Sequence, residues 1–298
     1  MGSQQDRSHV RPLVRVGAMV GSPVEENPID LLFNRCYEQA GVPVHFMKFH
    51  VERAEHLGDC VRGARALGFA FMGVTVPYKR AVIPHLDEIA PDSRGIGAIN
   101  VVEFVGDDRR GVGHNTDGSA LATSIEQVTT IAGRRICVLG AGGAARGVGA
   151  ELARRGARSI AVAARDPAEG EPVAEMIRGR GPDGFEATFV PWGEVLSVPD
   201  GTEVVVNATP VGAAPQLGEL ALDWASLGRA GVAVDVVTGP RQTGFLQRAH
   251  DMGLITVDGV DMLVDIVHGT LQTMGADLGR DEVDEHARAL AGDPVARP

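Results

Sequence analysis

The sequence predicts an α/β protein built as two domains, the second of them a doubly wound parallel sheet. Three observations carry this. From Val14 onward, short apolar runs alternate with segments of helical period, the pattern of strands and helices taking turns. The pattern restarts with greater clarity at Arg135, beyond the polar break Asn115-Thr116-Asp117-Gly118. Finally, 298 residues at 44% hydrophobic and 22% charged supply core for two modest domains and exclude disordered and fibrous architectures.

Residues 13–20 read as an opening strand that ends in the turn-rich Gly21-Ser22-Pro23. Pro28 sits at a first helical position, where its missing N–H is tolerated, and Ile29, Leu31, Leu32, Cys36 and Ala40 mark one helical face up to Gly41. A strand at 44–49, a helix at 54–67 and a short strand at 69–76 complete a β-α-β-α-β unit. Thr116 or Asp117 then caps a helix over 119–128. Ile136-Cys137-Val138-Leu139 is a buried-strand run, 140–143 a turn, and 144–155 an alanine-rich helix that Gly156 ends. Residues 159–164, 204–207 and 232–237 are further apolar runs of the parallel-sheet type. Helical spacing returns over 262–278, and 281–298 is polar and partly helical. The expected domains are 12–117, completed by a carboxy-terminal helix at about 260–285, and 118–259.

Lys plus Arg number 28 against 39 Asp plus Glu, a formal net charge of -11. Such a chain, with no long basic run, repels phosphate polymers and anionic lipid, so no nucleic acid or membrane partner is expected and a small molecule is the ligand to look for. No apolar stretch approaches the roughly 20 residues of a membrane span. Residues 1–15 lack the apolar segment of a secretory signal. Cys36, Cys60 and Cys137 are odd in number and without C-x-x-C spacing, which predicts a reducing, cytoplasmic setting. The 9 histidines show no metal-ligand spacing, so no metal is expected. Two of the cationic residues are lysines, Lys48 and Lys79; the rest are arginines. The oligomeric state has no sequence signal.

Gly140-Ala141-Gly142-Gly143-Ala144-Ala145 follows a strand and opens a helix. The glycines permit a tight turn and let backbone N–H groups approach a pyrophosphate, while the helix start adds partial positive charge. That setting is a dinucleotide-binding turn of a Rossmann-type domain. At the tip of the next strand stand Arg165 and Asp166. An arginine there pairs with a 2'-phosphate and stacks on adenine, so NADP is the expected cofactor, while Asp166 suits a ribose hydroxyl and keeps NAD open. Asn207 and Thr209 end a parallel strand where such sheets bind ligands, although both residue types also cap turns.

Seven ordered segments carry a resemblance. They are Val74-Thr75-Val76-Pro77-Tyr78-Lys79, Ile96-Gly97-Ala98-Ile99-Asn100, Asn115-Thr116-Asp117-Gly118, the glycine turn, Asn207-Ala208-Thr209-Pro210-Val211-Gly212, Asp235-Val236-Val237 with Pro240 and Thr243, and Asp258-Gly259 with Met262-Leu263-Val264. From Val16 to Gly275 the chain thus resembles the shikimate dehydrogenase family. The resemblance implies a cytoplasmic, NADP-dependent enzyme of the shikimate pathway that interconverts a ring secondary alcohol and ketone: shikimate and 3-dehydroshikimate, or a related cyclic hydroxy acid or polyol. It places Lys79 and Asp117 at the reacting hydroxyl, with Thr75 and Asn100 as substrate contacts. Gly140, Ala141, Gly142, Gly143, Ala144, Arg165, Asn207, Thr209, Val236, Gly259 and Met262 fall on the cofactor side. Hydride leaves as the hydroxyl proton leaves, so the reaction needs a positioned acid/base. Outside this context Lys79 reads as a solvated lysine, Asp117 as a helix cap and Met262 as core filler.

The sequence also departs from the family. The usual S-x-S-P segment, whose serines hold the substrate carboxylate, is replaced by Gly21-Ser22-Pro23-Val24-Glu25-Glu26-Asn27-Pro28. Glu25 and Glu26 repel a carboxylate unless they point into water, and Asn27 is the residue left to replace a lost serine. Gly73 stands in place of an Asn, Thr238 of a Tyr and Ile266 of a Gln, each removing a polar arm. The acid/base pair is kept while the carboxylate grip is not. Two further readings stay open: an NAD-dependent quinate-type dehydrogenase, on Asp166, and a non-catalytic dinucleotide sensor, against which Lys79 and Asp117 speak. Gly118 and Gly259, where the two units join, are the expected hinge positions.

Overall fold

The computed structural model describes residues 14–25, 27–214, 217–228 and 230–291 and contains two six-stranded sheets. Glu26, the amino-terminal segment and the polar tail after residue 291 lie outside the described residues. In the first sheet β1 (Arg15–Gly21), β2 (Val44–His50) and β3 (Phe71–Val74) run parallel, joined by α1 (Ile29–Gln39) and α2 (Leu57–Ala66). The strands β4 (Glu88–Ile89), β5 (Val101–Val105) and β6 (Arg110–His114) extend it to the order β2-β1-β3-β5-β6-β4, with β5 antiparallel to both its neighbours. These three strands are additions to the β-α-β-α-β reading. Two-residue β4 and glycine-rich β6 lack the apolar density that marks a strand in a sequence.

The helix α1 buries Ile29, Leu32, Phe33, Cys36 and Tyr37, an i, i+3, i+4, i+7, i+8 stripe. Leu31, expected on that face, is exposed. The stripe runs through the aromatic residues instead, and Phe33 stacks on Phe46 of β2 with ring centroids 4.6 Å apart.

The chain crosses to the second sheet through α3 (Asp117–Glu126). There β7 (Arg135–Leu139), α4 (Gly143–Arg154), β8 (Ser159–Ala164), α5 (Pro167–Arg178), β9 (Glu186–Pro191), β10 (Val204–Asn207), β11 (Val232–Asp235), α6 (Gly244–Asp251) and β12 (Ile255–Val257) follow in turn. Every pairing is parallel and the order is β12-β11-β10-β7-β8-β9, the doubly wound arrangement expected. Winding reverses between β7 and β10, which opens a crevice at their carboxyl ends. All four residues of β10 are buried, as a strand covered on both faces requires. Four elements here have no counterpart in the sequence reading: α5, which opens on Pro167 and carries Pro172 inside, β9, α6 and three-residue β12.

The chain then returns. Val260, Leu263, Val264, Val267 and Leu271 of α7 (Gly259–Thr273) and Val283 and Ala287 of α8 (Arg280–Ala291) share one buried cluster with Phe33, Tyr37, Phe46 and Phe71. At the two crossings the expected hinge glycines serve close packing. A Cβ on Gly118 would lie 2.2 Å from Gly147 O, and one on Gly259 2.3 Å from Val237 O. Among the described residues no helix is long and apolar enough to cross a membrane.

Candidate active site

A cleft of about 1220 Å³ takes its walls from both sheets. Asn27, Thr75, Lys79, Asn100 and Asp117 line it on one side, and Gly142, Gly143, Ala144, Thr209, Val236 and Met262 on the other. Gly140, Ala141, Arg165, Asn207 and Gly259 lie outside this wall. Arg165 is exposed at the end of β8, and Asn207 is wholly buried.

The polar centre is built by three segments. Lys79 stands in the turn after β3, and its Nζ donates to Asp117 Oδ2 at 2.5 Å. Asn100, just before β5, donates from Nδ2 to Asp117 Oδ1 at 2.8 Å and to Thr116 Oγ1 at 2.9 Å, while its Oδ1 accepts from Thr116 N at 2.8 Å. Asp117 is 4% exposed. Two charges taken this far out of water cost several kcal/mol unless each meets a partner, and here each is the other's partner. Asp117 does not cap α3. Thr116 occupies the cap position, without a side-chain cap bond, and the carboxylate is turned sideways onto the lysine.

On the opposite wall Gly142 is the N-cap of α4, with an extended φ of -76° and ψ of -170°, and no side chain caps the helix. By contrast α5, α6 and α7 are capped by Asp166, Thr243 and Asp258. The first N–H groups of α4 are thus left for acceptor oxygens of a ligand. A Cβ on Gly142 would meet nothing within 4 Å, whereas one on Gly143 would lie 3.1 Å from Lys79 Cβ, so the glycine turn abuts the lysine stem. Gly140 holds φ +106°, and a Cβ there would reach Thr209 Cγ2 at 3.0 Å. Free helix-start donors beside open space at Gly142 fit a dinucleotide pyrophosphate. Among the described residues no group of three or more His, Cys, Asp or Glu side chains converges as a metal site would require.

Behind this wall lies a network that the sequence reading missed. Asp235, at the end of β11, accepts from Asn207 Nδ2 at 3.0 Å, Val237 N at 3.0 Å and Thr243 Oγ1 at 2.7 Å. Asn207 Oδ1 in turn accepts from Thr209 N and Oγ1. Burial pushes the Asp235 carboxyl up to about 6 against the pull of its three donors. Asn207 therefore ties the loops after β10 and β11 together from behind the wall.

At the positions of departure, Gly73, Thr238 and Ile266 all line the cleft. Glu25 does not; it is exposed, with Oε1 2.6 Å from His50 Nδ1 and Oε2 accepting from Val24 N at 2.9 Å. Backbone N–H groups and His50 hold its carboxyl down at about 2. Asp166 accepts from Ala168 N at 2.9 Å as the α5 cap. His114 lines the cleft, with Nε2 3.2 Å from Glu103 Oε2. Lys48 and His50, which hold the first loop from β2, were not singled out from sequence. The scarcity of lysine was the available signal for Lys48.

An uncapped helix start at the switch point of a parallel sheet, pressed against a buried lysine-aspartate pair from a second α/β unit, defines the class: a two-domain, dinucleotide-dependent oxidoreductase. Comparison with known proteins gives the family. The shikimate dehydrogenase substrate binding domain matches residues 19–102. The NADP(+) shikimate dehydrogenase of Geobacter metallireducens is 38% identical over 256 residues, covering 84% of this chain and 87% of that one. The ligand-free 5-ketofructose reductase of Gluconobacter sp. strain CHM43 superposes with a TM-score of 0.82 at 32% identity, over 93% of this chain and 99% of that one. Shikimate dehydrogenase of Thermus thermophilus, solved with NADP(H) and shikimate, gives 0.79 at 27%, over 92% and 99%. The chain belongs to the shikimate dehydrogenase family.

Proposed function

We propose that this chain is an NADP-dependent dehydrogenase that interconverts a ring secondary alcohol and its ketone, shikimate and 3-dehydroshikimate or a closely related cyclic polyol. The observation that carries this is the Lys79–Asp117 pair, closed at 2.5 Å against the start of α4. When bound, NADPH would supply the hydride that the carbonyl carbon takes up in the reducing direction. Lys79 Nζ holds the proton that the carbonyl oxygen takes up as charge develops on it, and Asp117, fixed by Asn100, keeps the amine in place. Thr75 and Asn27 orient the ring. The free N–H groups at the start of α4 would hold the dinucleotide's pyrophosphate, Val236 and Met262 its nicotinamide and Arg165 its 2'-phosphate, since Asp166 is engaged in capping α5. The substrate half is 12–117 with 260–285, the cofactor half 118–259, and the setting is cytoplasmic.

A specific observation favours the polyol. Gly73, Thr238 and Ile266 line the cleft where the family pattern has polar arms, and the first loop has lost both carboxylate-binding serines. A site without those donors compensates poorly for desolvating a carboxylate. Nicotinamide absorbance in the presence of shikimate, quinate, aminoshikimate and neutral ring polyols, and of 5-ketofructose in the reducing direction, tests both levels. Turnover of neutral rings above the acids supports the polyol, and turnover of shikimate above them restores the first substrate. No turnover with any ring compound under either dinucleotide would remove the enzymatic reading.

A further inference from the structure

The loop between β1 and α1 is the part of the site that departs furthest from the family pattern, and two β2 side chains hold it from behind. Lys48 Nζ donates to Glu25 O at 2.8 Å and to Asn27 O at 2.7 Å, and lies 3.0 Å from Asp30 Oδ1. Its side chain is only 18% exposed. One nitrogen thus donates to two backbone carbonyls and pairs by charge with a carboxylate, all from one short stretch of chain. A compact ammonium gathers its donors and its charge on one atom and suits that cluster, whereas a guanidinium spreads five donors over a plane and does not. Two positions along, and so on the same side of the strand, His50 engages Glu25 Oε1 at 2.6 Å and Ser22 Oγ at 3.2 Å. The loop ends are tied as well, through Ser22 N to Val76 O at 3.0 Å and Ile29 N to Asn27 Oδ1 at 3.0 Å. The outcome is a loop with Pro23 and Asn27 in the cleft wall and Glu25 outside it.

We propose that Lys48 is a positioning residue for substrate recognition. Its ammonium sets the loop so that Asn27 meets the ring and the Glu25 carboxylate stays away from it. This rests on the ring-alcohol reading and extends the site to a residue that never touches the substrate. The chain therefore places both of its lysines, rather than arginines, where a compact amine is required: Lys79 at the chemistry and Lys48 behind the recognition loop.

The test uses Lys48→Met and Lys48→Arg in the full chain, with shikimate and 5-ketofructose as probes and amide hydrogen exchange as a readout independent of turnover. In Lys48→Met the KM for the ring substrate rises about 20-fold, while kcat and the KM for NADPH stay within about twofold, because what is lost is orientation of the loop and not the acid/base pair. Lys48→Arg fails to restore the KM. Exchange at Ser22, Asn27 and Ile29 speeds up about tenfold, with α4 unchanged. An unchanged substrate KM, full rescue by Arg, or a parallel decline of kcat, both KM values and protection throughout the molecule would each overturn the proposal. If the parent protein turns over neither probe nor any other ring compound of the screen above, the ring-alcohol reading fails by itself. Exchange then still decides the role of Lys48: acceleration confined to the loop sustains it, and no acceleration ends it.

Discussion

Asp117 and Asp235 are both buried aspartates, one on each side of the cleft, and they are opposite devices. Asp117 faces an ammonium at 2.5 Å and one amide. Asp235 is held by three neutral donors, and burial, with the charge of Asp258 adding to it, pushes its carboxyl up to about 6. The first arrangement balances charge where the proposed reaction moves a proton. The second uses a carboxylate as a tie between loops and leaves its desolvation largely uncompensated. What separates the carboxylate proposed to serve the reaction from the structural one is thus the partner, since both are almost fully buried.

The largest expected effect comes from breaking the first arrangement. Lys79→Met removes the proton-holding amine, and kcat falls by roughly a thousandfold or more while dinucleotide affinity, measured by fluorescence titration, is kept. Asp117→Asn preserves the volume and a contact to Asn100 but leaves the lysine without its counter-charge. Its kcat drops by about a hundredfold, with a smaller change in the KM for the ring substrate. Near-parental kcat in either variant would erase the distinction between the two aspartates.

The distinction was half legible in the sequence. Lys79, Asn100 and Asp117 lie in compact segments whose order and residue types survive in one dimension, and the glycine turn announces itself because it follows a strand and opens a helix. The four inner strands of the second sheet, β7, β8, β10 and β11, were legible because burial on both faces writes them as unbroken apolar runs, whereas the edge strands β9 and β12 were not. The Asp235 tie was not legible as a network, because its members come from β10, β11 and the cap of α6, joined only by folding. Strands β4 and β6 were hidden by shortness and by glycine. The outward turn of Glu25 depends on His50, 25 residues away, which no local pattern connects to it.

Breaking the second arrangement has a pH signature. Because the folded-state pKa of Asp235 is raised above the ordinary 3.8, the native protein holds this proton more tightly than the unfolded chain does. Its stabilising contribution is complete below about pH 3.8 and is lost as pH rises toward about 6, at most roughly 3 kcal/mol across that window. Asp235→Asn mimics the protonated state: Oδ1 still accepts from Asn207 and Val237, and the amide donates to the Thr243 hydroxyl. Urea denaturation at about pH 4.5 and about pH 7, inside that window and above it, should show the parent losing stability relative to the variant as pH rises. Parallel pH profiles for the two proteins would mean that Asp235 is ionised in the fold without penalty.

The smallest effect concerns a charge that neither arrangement buries. Arg165 is exposed at the tip of β8, and the neighbouring carboxylate, Asp166, accepts from Ala168 N at 2.9 Å. A surface guanidinium contributes little unless its partner carries a localised charge, which a 2'-phosphate does and a ribose hydroxyl does not. Arg165→Ala should therefore weaken NADP binding about tenfold and leave NAD nearly unaffected, with the gap shrinking as salt is added. Asp166→Asn keeps a side chain able to cap α5 while deleting a negative charge beside the phosphate, so it should tighten NADP by about twofold. Equal weakening of both dinucleotides by Arg165→Ala would assign the arginine to stacking on adenine, a contact that the two cofactors share, and specificity for NADP would then have to come from another residue of the cofactor half.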